Sequence, residues 1–149
     1  MRPIDPELFV ARAEQLKARL AEEDTIYSRL QPHIETCDAE TPAITVSFPI
    51  FPWELNGNGV VNGGISATML DAVMGTLSYA ITGGFTPTIS LNISYLRPVP
   101  AEGTMVVRAE ATMAGRTGIC LSGELWDERD PDRLLVTAQG VFRTLAAAE

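Results

Sequence analysis

Apolar residues in the first thirty positions recur at helical spacing: Leu8, Phe9, Leu16, Leu20 and Ile26, with Ala11 and Ala13 between them and charges on the opposite face. This period predicts an amphipathic helix over about residues 5–30. Asp5 is placed to cap it, with Pro6 at its first position. Gln31-Pro32 ends it, because proline disfavours helical backbone in the residue before it. The run PAITVSFPIFP (42–52) favours extended chain, which Pro49 and Pro52 confine to an edge or a short strand. Residues 65–82, ISATMLDAVMGTLSYAIT, are apolar nearly all round and predict about five turns of helix, buried on both faces. Gly83-Gly84-Phe85 and the TPT that follows close it.

From Thr88 the period becomes two. TISLNISYL places Ile89, Leu91, Ile93 and Tyr95 on one face and Thr88, Ser90, Asn92 and Ser94 on the other. TMVVRAEATM, TGICLSGELW and RLLVTAQGVFRTL follow, separated by turns at RPVPAEG, AGR and DERDPDR, which predicts four antiparallel strands in a meander. The order is helix, strand, long apolar helix, then sheet. A curved antiparallel sheet wrapped around that helix would bury its circumference, an α+β architecture known as the hotdog fold.

The length of 149 residues fits one domain, 1–149, with a core over about 40–145. Hydrophobic residues at 46% and charged ones at 20% describe an ordinary folded protein. The formal charge of −8, with no basic run, speaks against a nucleic-acid partner. The first 24 residues have no apolar core behind their arginine, so neither signal peptide nor anchor is expected, and Gly and Pro interrupt the longest apolar stretch, so no membrane span is expected. Cys37 and Cys120 form no metal-binding or disulfide pattern. A cytoplasmic protein without metal or cofactor is the expectation.

The chemistry concentrates between Asn56 and Asp71, NGNGVVNGGISATMLD, where four glycines and three asparagines fill nine residues. Between Thr41 and Leu96 the only charged side chains are Glu54 and Asp71. Asp71 lies two turns inside the most apolar helix, where an unpartnered carboxylate is costly, so a hydrogen-bonding or working role is expected. Gly63 and Gly64 sit at the helix start, where free N–H groups and the positive end of the dipole could hold an oxyanion. The plainer readings stand beside these: Asp71 could simply accept loop hydrogen bonds, the glycines could only permit positive φ, and Asn56, Asn58 and Asn62 are common turn residues. His33 reads as a surface residue, Cys120 as a core thiol, and Phe51, Trp53 and Phe85 as either acyl-pocket lining or plain core.

The stretch resembles the signature of hotdog-fold acyl-CoA thioesterases of the phenylacetate-pathway (PaaI-like) and 4-hydroxybenzoyl-CoA thioesterase superfamily, N-x-x-G-x-x-H-G-G followed seven residues later by Asp or Glu. ISLNISYLRPVPAEG and the Ala114-Gly115-Arg116 turn add to a likeness that covers about residues 40–145. The resemblance implies a homodimer, often paired into a homotetramer, with active sites at the dimer interface. It implies Asp71 as general base or nucleophile, Asn56 and the Gly63 N–H polarising the thioester carbonyl, and Thr88 orienting water. Gly64, Trp53 and Phe85 would bind substrate, and Arg116 and Arg97 would meet the CoA phosphates.

One position departs from the pattern. Asn62 stands where the signature has histidine, and asparagine cannot shuttle a proton near neutral pH. Acyl-CoA hydrolysis is therefore the leading reading, and binding of acyl-CoA or another apolar ligand without turnover is the alternative that Asn62 favours. A hotdog dehydratase would need a histidine that the site region lacks. Acyl chain length is set by how Trp53, Met69, Met74 and Phe85 pack, which the sequence leaves open.

Overall fold

Asp5 begins the first helix as expected: its carboxylate accepts from the N–H groups of Glu7 and Leu8 ahead of α1, Pro6–Ala21. The computed structural model describes residues 4–22 and 24–144. The expected single helix over 5–30 is two. A second short helix, α2 at Ile26–Arg29, starts afresh where Thr25 and Ser28 exchange side-chain and backbone hydrogen bonds, a local alternative to continuing the first. Phe9, Ala13 and Leu16 form the buried stripe of α1, whereas Leu8 and Ile26 remain exposed.

Six strands form one antiparallel sheet: β1 His33–Asp38, β2 Ala43–Pro49, β3 Thr88–Tyr95, β4 Thr104–Ala114, β5 Gly118–Asp127 and β6 Leu134–Arg143, in the spatial order β1-β2-β4-β5-β6-β3. Two expectations change here. The segment containing Pro49 is an internal strand, because β1, which has too few apolar residues to show a period, covers its outer side. Pro49 is tolerated as the last residue of the strand.

The meander holds only for β4-β5-β6; β3 pairs with β6 and forms the opposite edge. The link at 96–103 is no hairpin turn. Leu96 and Arg97 donate to the Leu135 carbonyl, buried Val99 accepts from Val61, and Gly103 accepts from Ile50, so the link crosses the molecule to the far side of the sheet.

The long helix, α3 at Gly63–Thr82, lies against the inner face of the sheet and ends on Gly83, a left-handed cap with φ 74°. Met69, Leu70, Val73, Met74 and Leu77 are fully buried against Val46, Phe48, Met105, Leu121, Val136 and neighbours. Burial of one such side chain is worth about 1.5–3 kcal/mol. The sheet approaches so closely that a Cβ on Gly123 would lie 2.7 Å from Met74 Cε and one on Gly140 would lie 3.0 Å from Met74 Sδ. Glycine at these two strand positions is what lets the sheet wrap the helix. α1 covers part of the other side, and Arg12 donates to the carbonyls of Ala80 and Ile81 at the negative end of α3.

The helix is not buried all round. Asp71, Ala72, Gly75 and Tyr79 form a half-buried stripe along it. Among the described residues, no helix is long and apolar enough to cross a membrane.

Candidate active site

The Gly/Asn loop is held by its own polar groups. Asn56 Oδ1 accepts from Asn58 N at 2.9 Å and Val60 N at 3.4 Å, while its backbone N–H donates to the Val60 carbonyl. Leu55 and Val61 form a bridge that closes the loop. The carboxamide oxygen of Asn56 thus holds the turn.

Glu54 supports the loop from below. It is fully buried, its Oε2 accepts from Phe51 N at 3.2 Å, and its backbone carbonyl accepts from Asn62 N at 2.8 Å. Its Oε1 is buried without a partner among the described residues, and burial raises its pKa above the ordinary carboxyl value. Glu54 stood out in the sequence only as one of two charges in an apolar stretch.

Asn62 is the N-cap of α3: its Oδ1 accepts from Gly64 N at 2.8 Å. The Asn62 carbonyl accepts from Ile65 and Ser66. Of the paired glycines, Gly64 therefore has its N–H occupied, whereas the Gly63 N–H meets no acceptor among the described residues. Tyr95, which sequence reasoning placed only on a face of β3, donates from Oη to the Gly63 carbonyl at 2.7 Å.

Asp71 is half-exposed, not buried as the apolar helix suggested, and accepts from Thr88 Oγ1 at 2.9 Å. Strict alternation put Thr88 on the face opposite Leu91 and Ile93. The β3 ladder pairs Thr88 with Phe142 and Ser90 with Val141, so Ile89 is an extra residue. This bulge returns Thr88 to the helix side, where it reaches the carboxylate.

Asp71 and Thr88 open onto a cavity of about 470 Å³ between α3, the 85–88 segment and the α1–α2 arm. Leu16, Arg19, Leu20, Tyr27, Gly75, Thr76, Tyr79, Phe85 and Phe142 line it. The Tyr27 phenol is raised by burial and rests against the Thr76 side chain, so the wall carries a neutral hydroxyl.

Of the residues expected to shape an acyl pocket, Phe85 lines this cavity, although it is 74% exposed. Trp53 lies on a 3₁₀ turn, Pro52–Glu54, away from the lining, and Met69 and Met74 are sealed in the core between α3 and the sheet. Much of the cavity wall comes instead from α1 and α2, whose apolar period gave no hint of their target. Arg97 donates to the Leu134 carbonyl at 2.7 Å, and Arg116 is exposed on the β4–β5 turn; neither lines the cavity. Among the described residues, no group of three or more His, Cys, Asp or Glu side chains could hold a metal ion.

A half-exposed carboxylate held by a hydroxyl, a bare amide at a helix start and an apolar cavity suit attack on an activated carbonyl. A family model described as the thioesterase superfamily matches residues 58–133, half of the chain, and the chain belongs to that superfamily. The class of reaction is thioester hydrolysis.

Solved structures agree with the fold. A phenylacetic acid degradation-related protein of Ralstonia eutropha is 27% identical, over 89% of this chain and 99% of its own, with a TM-score of 0.78. The PaaI protein of E. coli, from the phenylacetic acid degradation operon, superposes with a TM-score of 0.79 at 18% identity, over 91% of this chain and 95% of its own. A hypothetical thioesterase protein of Streptococcus pneumoniae, crystallised with coenzyme A, gives 0.68 at 19% identity, over 75% and 86%.

Proposed function

We propose that the protein hydrolyses an acyl-CoA thioester to the free acid and CoA, with Asp71 as the group that activates water. The observation that carries this reading is the Asp71–Thr88 pair at the mouth of the apolar cavity. The acyl group enters the cavity, Thr88 orients the carboxylate, and Asp71 takes a proton from a water whose oxygen bonds to the carbonyl carbon. The carbonyl oxygen gains negative charge, the C–S bond breaks, and the thiolate leaves with the proton that Asp71 held. On the other route an Asp71 carboxylate oxygen bonds to the carbonyl carbon, the C–S bond breaks to release the thiolate, and water then splits the mixed anhydride, its proton passing to the thiolate. Label found on Asp71 after a single turnover in ¹⁸O-water establishes this route, since it arises only when water opens the anhydride at the Asp71 carbonyl.

The oxyanion donor comes from a second copy. Gly63 and Asp71 are eight residues apart on one helix, about 12 Å at 1.5 Å per residue, too far to serve one carbonyl. β3 is an open edge that exposes Ile89 and Tyr95, with exposed Leu96 just beyond it, the kind of edge that pairs with another strand. Antiparallel pairing of two β3 edges makes a homodimer in which Asp71 faces Gly63 of the partner subunit, with the Asn56 NH2 nearby. Arg116 and Arg97, both exposed, are the cations this reading assigns to the CoA phosphates. A cytoplasmic setting without a cofactor fits this reading.

A second reading, binding without turnover, is favoured by Asn62, whose carboxamide caps Gly64 and cannot relay a proton. The deciding experiment measures free thiol released from short, medium, long and aromatic acyl-CoAs by wild type and Asp71→Ala, with sedimentation equilibrium on both. Turnover that is lost in a folded dimeric variant supports hydrolysis. Ester binding without thiol release by wild type supports the second reading.

A further inference from the structure

Gly63 is crowded from β3. A Cβ there would lie 3.3 Å from Tyr95 Cε1 and Cζ and 3.4 Å from Oη. The same ring donates its hydroxyl to the Gly63 carbonyl at 2.7 Å, and the N–H of that peptide, from Gly64, donates to Asn62 Oδ1 at 2.8 Å. Both ends of the Gly63–Gly64 peptide are therefore bonded. Glycine has the widest backbone freedom, so at the two glycines that open α3 the bonds from Tyr95 and Asn62 add to the restraint of the helix itself. The preceding peptide has its carbonyl engaged by Ile65 and Ser66, which leaves the Gly63 N–H projecting from the helix start.

We propose that Tyr95 is a positioning residue of the thioesterase site: its hydroxyl pins the Gly63–Gly64 peptide and its ring keeps position 63 bare, which holds the Gly63 N–H in place for an oxyanion. The role rests on the thioester-hydrolysis reading, in which Gly63 supplies that donor. β3 then serves both ends of the machinery, fastening Asp71 through Thr88 and Gly63 through Tyr95. A pinned donor costs no reorganisation as charge develops, so its loss is felt in the transition state more than in substrate binding.

The test is Tyr95→Phe, which removes one oxygen and keeps the ring. Loss of an oxyanion donor lowers kcat by about 10²–10³; loosening one should lower it by about 5–20-fold, with KM within about twofold. Thermal stability should stay at the wild-type value. A kcat within twofold of wild type would overturn the role.

Two further readouts need no turnover and so separate this idea from the reading beneath it. Amide exchange of Gly64, followed by NMR, should quicken about tenfold in Tyr95→Phe. Gly63→Ala should destabilise the wild-type background more than a Tyr95→Ser background, as neighbours that share a contact couple. Unchanged exchange together with additive stabilities would refute the clamp even if wild type hydrolysed no ester.

Discussion

Glu54 and Asp71 are the two carboxylates of the apolar middle of the chain, and the structure treats them oppositely. Glu54 is sealed in, with one oxygen on Phe51 N, the other without a partner among the described residues, and a raised pKa. Asp71 sits on the open stripe of α3 with Thr88 on one oxygen and the cavity before it. The buried acid braces the loop, and the half-open one faces the cavity. Burial alone is a poor mark of a general base, which must reach water and substrate as a sealed carboxyl cannot.

The contrast is sharpest in turnover. Asp71→Asn should lower kcat by about 10²–10⁴ while leaving the unfolding temperature unchanged, as expected for loss of a general base. Equal turnover in wild type and variant would remove Asp71 from the chemistry. Thr88→Val keeps shape but drops the hydrogen bond to Asp71, and about a tenfold fall in kcat is expected from steady-state kinetics.

Glu54→Gln should leave kcat close to wild type and show its effect in stability against pH. Because the folded-state pKa is raised by burial, the folded protein holds its proton where the unfolded chain has released it. Wild-type stability should then fall as pH climbs from the ordinary carboxyl range towards the raised value. Each unit of that rise is worth about 1.4 kcal/mol. Urea unfolding at several pH values should show this slope in wild type and a flatter one in the Gln variant. A Gln variant that lost turnover but kept the slope would reverse the assignment of the two acids.

Much of the fold could be read directly. The Asp5 cap, the long apolar helix and the β4-β5-β6 meander each rest on local period or local hydrogen-bonding chemistry, and the structure has all three. What escaped was non-local. β1 has a mixed composition and exists because β2 offers it an edge, and β3 left the meander because Val99 anchors the link behind it beside Val61. In the candidate site, the spacing of Asn56, Gly63 and Asp71 singled out a stretch of chain, and the structure sets its Asp71 beside Thr88 on the cavity. The spacing said nothing of Tyr95, whose value lies in a hydrogen bond 32 residues away in sequence, or of Leu16, Leu20 and Tyr27, which line the cavity from a separate helical arm.

The sequence by itself determined which residues could do chemistry: a carboxylate two turns inside a helix, bare glycine amides at its start, and an asparagine where a proton relay would need histidine. Those properties belong to side-chain type and spacing, and they travel with the chain whatever surrounds it. Only the tertiary structure decided which of two acids meets solvent, that Tyr95 reaches the Gly63 carbonyl, and that an extra residue in β3 turns Thr88 towards Asp71. Exposure and hydrogen-bond partnership are set by segments distant in sequence, so no local pattern encodes them.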